Sequence, residues 1–477
     1  MDFVIPNYQV AIPEMFVLGM ACIILLVDLF LTERSRSVTY LLSQGTLLGA
    51  TVLTLTTFSE SSQLAFSDTF VRDAKGDVLK AAIYLSSFMV FLYARSYLQA
   101  RNLFRGEFYV LGLFAVLGMM VMVSAHNLLT VYLGLELLSL SLYAMVALQR
   151  DSIFASEAAM KYFILGALAS GMLLYGMSML YGSSGSLDLA EISRQITTSQ
   201  MSLVTVFALV FIVVGVAFKL GAVPFHMWVP DVYQGAPTAV TLFIASAPKI
   251  AAFAMMIRLL VDGLSGLHSH WQDMLIILSV LSLAVGNLFA IAQTNIKRML
   301  AYSTISHMGF LMLGVLTGSS EGFAAAMFYT VSYTIMSVAA FGMVVLLSRN
   351  GFEAERIDDF KGLNERSSWF AVVMMFIMFS MAGVPVFLGF WAKLFVLREL
   401  VHAGMTWLAV VAVIFSVIGV FYYLRIIKLM YFDKAEDKSP IEQSFDLKFA
   451  LSLNGVGILV IGFLPGSLMA LCISVFA

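Results

Sequence analysis

Apolar stretches of about twenty residues follow one another along almost the whole of this 477-residue chain. They lie at roughly 10–31, 38–58, 78–98, 108–125, 127–149, 160–182, 201–229, 236–261, 272–293, 296–317, 322–348, 369–402, 405–430 and 447–476. Each is the length an α-helix needs to cross a bilayer, and no segment alternates with the period of two expected of a barrel strand. The reading is an all-α polytopic membrane protein of about fourteen transmembrane helices. Composition agrees: 61% of residues are hydrophobic, 12% are charged and mean hydropathy is +0.94. So much apolar surface has to face phospholipid rather than water.

A net charge of −2 leaves no basic face for nucleic acid. The two cysteines, Cys22 and Cys472, sit in distant apolar runs and make no disulfide framework or metal motif. No metal site, phosphate loop or haem pattern stands out, because His268, His270 and Asp273 form a cluster without further ligands. The chain is therefore expected to carry no redox cofactor of its own. Its opening has Asp2 and Glu14 but no Lys or Arg before the first apolar run. That run is expected to be a retained membrane helix and not a cleaved signal.

Loop charges set the expected orientation, since Lys and Arg resist translocation. Odd-numbered loops carry Arg34 and Arg36, then Arg95, Arg101 and Arg105, then Arg150, Lys297 with Arg298, Arg349 through Arg366, and Lys434 with Lys438. Even-numbered loops carry Glu60, Asp68, Asp73 and Asp77, then Asp188 with Glu191, then Glu321. Odd loops are placed in the cytoplasm and both termini on the outer, periplasmic side.

Two of the long segments hold a Gly and a Pro near the middle, around Pro224 and Pro385. Proline removes a backbone donor and clashes with the preceding turn, so both helices should break there. Unwound backbone at membrane depth survives where it is buried in protein or lines a wet cavity. Matching breaks in two halves point to a transporter-type repeat, and two unrelated proline kinks are the plainer alternative.

Charged side chains within these spans cost about 2.5–3.5 kcal/mol each at a helix centre and are functional candidates by default. Glu136 lies mid-span in the fifth segment, Lys161 near the cytoplasmic end of the sixth, Lys219 just before the first break and Lys249 near the centre of the eighth. His307 is mid-span in the tenth, and Lys393 follows the second break by about two turns. One carboxylate among several buried lysines, with a histidine between them, fits proton relay better than hydride or acyl transfer. Plainer readings remain beside this one: Lys161 snorkelling to the interface, Glu136 in an ordinary interhelical pair, His307 as a satisfied donor. Arg258, Arg398, Glu399, Arg425 and Lys428 lie near span ends, where snorkelling is the default.

Glu136, the stretch from Lys219 through Pro224, His226, Trp228 and Asp231 to Thr238, Lys249, and the run from Ile296 to His307 together resemble the antiporter-like membrane subunits of the respiratory NADH–quinone oxidoreductase, complex I. The resemblance covers essentially the full length, and its motifs are specific to that superfamily. The span count and the opening Pro6 to Gly19 are most similar to the bacterial subunit-N branch of the family. The chain ends soon after its last span, without the long lateral helix of the largest such subunit. The resemblance implies two inverted five-helix repeats, each with one proline-broken helix. It divides the chain into an N-terminal three-helix segment (1–107), a first repeat (108–262), a second repeat (263–432) and a cytoplasmic loop with a final helix (433–477).

It further implies that Glu136 pairs with Lys219, that Lys249 is a connecting lysine and that Lys161 is a further one. His307 would link the two halves and Lys393 would stand on the exit side. NADH, flavin mononucleotide (FMN), iron–sulfur clusters and a quinone would belong to other subunits. Neighbouring antiporter-like and small subunits of the membrane arm would be the partners, in the bacterial inner membrane. A subunit of a multisubunit cation/proton antiporter, and a scaffold whose charges only pair structurally, are the other two readings.

Overall fold

The computed structural model describes residues 7–59, 61–198, 202–435, 439–441 and 443–477, so Asp2, Glu60 and Lys438 lie outside the described residues. In chain order the helices are α1 (Ile12–Asp28), α2 (Ser37–Thr56), α3 (Ala74–Ala100), α4 (Gly106–Val123), α5 (Leu128–Val146), α6 (Ile153–Ser184) and α7 (Leu189–Thr198). Next come α8 (Leu203–Leu220), α9 (Trp228–Gly235), α10 (Thr238–Ile244), α11 (Ala247–Met256), α12 (His268–Ile291), α13 (Ile296–Val315) and α14 (Ser320–Leu347). The chain continues with α15 (Leu363–Arg366), α16 (Ser368–Ala382), α17 (Leu388–His402), α18 (Thr406–Phe432), α19 (Phe445–Phe463) and α20 (Pro465–Ser474).

The polar residues between apolar runs act as helix caps. Asp73, Asn127, Ser152, Ser202, Asn295 and Ser319 each accept a hydrogen bond from a backbone N–H in the first turn of α3, α5, α6, α8, α13 and α14. Those donors have no partner inside their own helix, and the caps fix where each helix begins.

Among the described residues, twelve helical segments are long and apolar enough to cross a membrane. Two of the expected spans fall outside that set for identifiable reasons. In α13, Lys297, Arg298, Ser303, Thr304, Ser306 and His307 dilute the hydropathy. The 369–402 segment is divided into α16 and α17. Two further departures from the expected pattern appear. A short antiparallel hairpin, Gln63–Ala65 with Phe70–Arg72, stands in a chain read as wholly helical, and it seats Ala65 and Phe70 against Val10 and Ala11. The 236–261 segment is not one helix either, because α10 ends before Ser246 and α11 restarts with Pro248 in its first turn.

Burial separates the centre of the bundle from its rim. The α10–α11 span is 100% buried and α14 is 89% buried, whereas α6, α18 and α19 are 33% buried. The rim helices carry exposed Ile, Leu and Phe that suit a lipid or protein environment rather than water. Pro248 and Lys249 therefore fall in a span that is wholly buried among the described residues.

Ion pairs tie the first helices to this centre. Arg258 is expected to snorkel, yet it is buried and grips Asp73 through two hydrogen bonds of 2.8 and 2.9 Å, with Asp262 at 3.0 Å. The reason is local: the turn below α11 points the guanidinium at the cap of α3, where two carboxylates outweigh any gain from reaching the interface. Lys75 completes the group by contacting Asp262 at 2.9 Å. Further along α3, Lys80 pairs with Glu14 of α1 at 2.7 Å, and Arg72 at the end of the hairpin pairs with Asp77 in the first turn of α3 at 3.1 Å. Removing one member of a buried pair strands its partner's charge. Arg258→Ala is expected to cost about 3–5 kcal/mol, read as a lower melting temperature of the detergent-solubilised assembly.

Candidate functional site

Both expected breaks occur, and each begins at a glycine ahead of its proline. Helix α8 ends at Leu220 with Gly221 at φ +82°, and α16 ends at Ala382 with Gly383 at φ +88°. Only glycine takes that left-handed conformation without strain, and it stops the helix. Pro224 and Pro385 then keep the chain from resuming a helix at once. Between the halves, backbone groups lie open at membrane depth and need partners.

Buried lysines supply those partners. Lys249, 1% exposed, donates from Nζ to the Leu220 carbonyl at 2.9 Å, with its ammonium 5.4 Å from the Trp228 ring centre. Trp228 itself donates to the Phe218 carbonyl at 3.0 Å, and Ser282 accepts from the Val223 N–H at 2.9 Å. At the second break Lys393 folds back toward the start of its own helix, as helical side chains do. Its Nζ donates to the Ala382 carbonyl at 2.8 Å, the Met381 carbonyl at 3.2 Å and Ser416 at 2.9 Å. A cation at the carbonyl end of a helix also meets the favourable end of the helix dipole.

Lys219 stands in the last turn of α8, 7% exposed, and donates to Ser139 at 3.0 Å. Glu136 lies one turn earlier on the same helix, α5, and is half-buried. Its carboxylate accepts a short hydrogen bond from Ser170, which also reaches Tyr132 at 3.3 Å. Glu136 and Ser139 share a face of α5, and Lys219 of α8 reaches that face without forming the direct ion pair the resemblance implies, because Ser139 takes the ammonium. A cavity of about 10 Å³ between Ser139, Ser170 and Lys219 is close to the room one water needs.

His307 is buried at the centre of α13, between two phenols. Tyr329 lies 2.6 Å from Nδ1 and Tyr423 lies 3.2 Å from Nε2. Tyr423 in turn meets Ser303 at 2.6 Å, and Tyr333 meets Thr304 at 2.7 Å. A second cavity of about 10 Å³ is lined by both His307 and Lys393, with Asn287, Ser306 and Ser416. The structure therefore brings His307 and Lys393 together. On the α14 side, Ser337 donates to the Ala245 carbonyl at 3.0 Å, four residues before Lys249.

Lys161 stands apart from this row. It is 44% exposed and pairs with Glu157 at 2.8 Å and Asp231 at 2.9 Å. These groups line an opening of about 620 Å³ that also reaches Arg101, Lys297 and Glu353. Burial would raise the Asp231 carboxyl, but hydrogen bonds from Lys161 and Arg298 outweigh it and hold Asp231 below the usual carboxylate range. Glu353 accepts from Tyr97 at 3.0 Å, and from Arg101 and Thr238, which closes the opening toward α10.

Sequence reasoning names the charges here but not their polar partners. Ser139, Ser170, Ser416, Tyr329 and Tyr423 resemble any other serine or tyrosine of a membrane helix. The one readable signal is spacing: Ser139 lies three residues from Glu136, and Tyr329 and Tyr333 lie four apart, so each pair shares a helix face.

Residues 125–419 match the family described as NADH:quinone oxidoreductase/Mrp antiporter, TM. The NADH-quinone oxidoreductase subunit N of Thioalkalivibrio sulfidiphilus (strain HL-EbGR7) is 62% identical, over 99% of this chain and 98% of that protein. A chain in the structure of respiratory complex I from Thermus thermophilus superposes with a TM-score of 0.83 at 30% identity, covering 96% of this chain and 99% of that one. The fold alone also matches a chain of the Mrp complex from Dietzia sp. DQ12-45-1b, with a TM-score of 0.82 at 20% identity over 99% of this chain and 97% of that one.

The geometry of the first break yields a test. A Cβ at Gly221 would meet Val229 at 2.6 Å on backbone already at positive φ. Gly221→Ala is expected to destabilise the assembly by about 1–3 kcal/mol, measured as a fall in thermal midpoint.

Proposed function

The chain belongs to the NADH:quinone oxidoreductase/Mrp antiporter family and, within it, to the NADH-quinone oxidoreductase subunit N relatives, and from that membership we propose that its buried Glu, Lys and His groups carry protons across the membrane. It is a membrane subunit of a multisubunit, proton-translocating NADH-quinone oxidoreductase. The flavin, iron–sulfur and quinone chemistry belongs to other subunits, and neighbouring antiporter-like and small subunits flank this one in the bacterial inner membrane.

One observation carries the relay reading. Lys219, Lys249 and Lys393 are all held by neutral oxygens, and among the described residues none of them has a carboxylate within 4.0 Å. Each can therefore pass between ammonium and amine without breaking an ion pair. What changes is a hydrogen bond to a carbonyl or hydroxyl, worth about 0.5–1.5 kcal/mol net for a neutral partner and about twice that for a charged one. A purely structural lysine of this depth would be expected to hold a carboxylate, as Lys80 holds Glu14.

Protons enter from the cytoplasmic side, reach Lys219 near Glu136, cross by Lys249 and the Tyr333–Thr304 stretch to His307, and leave outward through Lys393. Glu136 sets the charge state of Lys219 at a distance, through Ser139 and the intervening cavity, so a small movement of α5 against α8 changes their coupling. Lys161 serves the mouth of the path and not its interior. The division into 1–107, 108–262, 263–432 and 433–477, with the middle pair as inverted repeats, is supported by the two glycine-initiated breaks and their lysines.

Lys219→Ala and Glu136→Ala complexes are expected to assemble but to lose most of both proton pumping and coupled NADH oxidation, measured together in membrane vesicles. Normal pumping by an assembled Lys219→Ala complex would sink the relay. Pumping that requires sodium would favour the antiporter reading, and loss of assembly the scaffold. Orientation is tested separately: a cysteine replacing Arg150 is expected to react with an impermeant thiol reagent from the cytoplasm, and one replacing Ser186 from the periplasm.

A further inference from the structure

At the end of α13 away from Lys297 and Arg298 lies a second opening of about 480 Å³, with Thr317, Glu321, Arg398, Glu399 and His402 in its wall. Glu399 is the unusual member. It is 4% exposed, although its two partners, Arg398 and His402, are largely exposed. One carboxylate oxygen accepts from Arg398 Nε at 2.8 Å, and the other lies 3.4 Å from His402 Nδ1. The residue also sits in the last turn of α17, where free carbonyls disfavour a negative charge. Placing a buried carboxylate there gains nothing from helix formation.

Its relation to Lys393 is geometric. Both residues are on α17, six positions apart, which is about 9 Å along the axis. The neighbouring α13 gives a similar separation, with Phe310 and Thr317 seven positions apart. Phe310 shares the small cavity with Lys393, and Thr317, just beyond the end of α13, shares the outer opening with Glu399. Helices α13 and α17 pack together. The cavity and the opening thus lie at two levels beside the α13–α17 contact, with Lys393 at the inner level and Glu399 at the outer.

We propose that Glu399 is the proton-release group of this subunit. The step rests on the relay reading given above for Lys393. An N–H bond of the Lys393 ammonium breaks, water between the two levels carries the proton outward, and an O–H bond forms on Glu399, leaving a neutral amine and a neutral carboxylic acid. The acid then gives its proton to His402 or to water in the opening, which restores the carboxylate beside Arg398. The charged and titratable groups facing the site are Arg398 and His402 on α17 and Glu321 in the first turn of α14. Lys393 lies deeper, and His268 of α12 stands nearby on the Leu316 carbonyl at 3.3 Å. Arg398 stays hydrogen-bonded to Glu399, and the exposed His402 connects it to bulk water.

The test uses the whole complex in everted membrane vesicles, whose lumen corresponds to the outer face, with lumen pH set by trapped buffer. NADH-driven proton uptake is measured against lumen pH for Glu399→Gln, Glu399→Asp, His402→Ala and Lys393→Ala. Glu399→Gln is expected to reduce uptake several-fold and to flatten its dependence on lumen pH. Glu399→Asp is expected to restore both in part, and His402→Ala to displace the profile. A wild-type rate and profile in Glu399→Gln overturns the proposal. Should that variant fail to assemble, wild-type profiles in both Glu399→Asp and His402→Ala overturn it instead. Loss of pumping in Lys393→Ala with an unchanged Glu399→Gln removes this inference alone, whereas normal pumping in Lys393→Ala removes the relay beneath it.

Discussion

A carbonyl that loses its helical partner inside a membrane must find a donor, and this requirement organises the molecule. Lipid offers no hydrogen bonds, so unwound backbone in the spans has to be satisfied by protein or by trapped water. At both breaks the donor is a lysine: Lys249 on Leu220, and Lys393 on Met381 and Ala382. The same contact solves two problems, because it satisfies the orphan carbonyl and gives a buried cation a negative dipole to rest on. Everything around it follows from keeping lipid away, including the complete burial of the α10–α11 span.

This arrangement separates two kinds of charge. Toward the first helices, cations and anions are matched: Lys80 with Glu14, Arg72 with Asp77, Arg258 with Asp73 and Asp262. Those pairs hold elements together, and neutralising either member strands the other. Along the row from Lys219 to Lys393 the cations rest on neutral oxygens instead. A matched pair resists a change in protonation, and an unmatched cation on a carbonyl permits one. The lysines of the proposed relay thus differ from those of the scaffold in what each one touches.

The membrane class, the spans and both breaks were legible in the sequence because each depends on local chemistry: run length, a Gly ahead of a Pro, a charge among apolar neighbours. The sequence marks the discontinuity at Ser246 only by Pro248, and Lys249 beside it at the span centre is equally compatible with a single helix. Arg258 was misread because its distance from a span end says nothing of Asp73, 185 residues earlier, whose carboxylate it meets. Glu136 and Lys219 were each found, yet the serine between them was not, since serine is common in membrane helices and its role appears only once α5, α6 and α8 are packed. Long-range partners are what one sequence does not display.

The setting of His307 carries a consequence for direction. A neutral imidazole has one nitrogen that donates and one that accepts. Tyr329 and Tyr423 occupy the two nitrogens, so the hydroxyl orientations and the tautomer are locked into one pattern at a time. A proton that enters on one nitrogen and leaves from the other inverts that pattern. The ring and both hydroxyls must then turn back before a second proton can follow in the same sense. In the proposed relay, this resetting step separates the passage of one proton from the next.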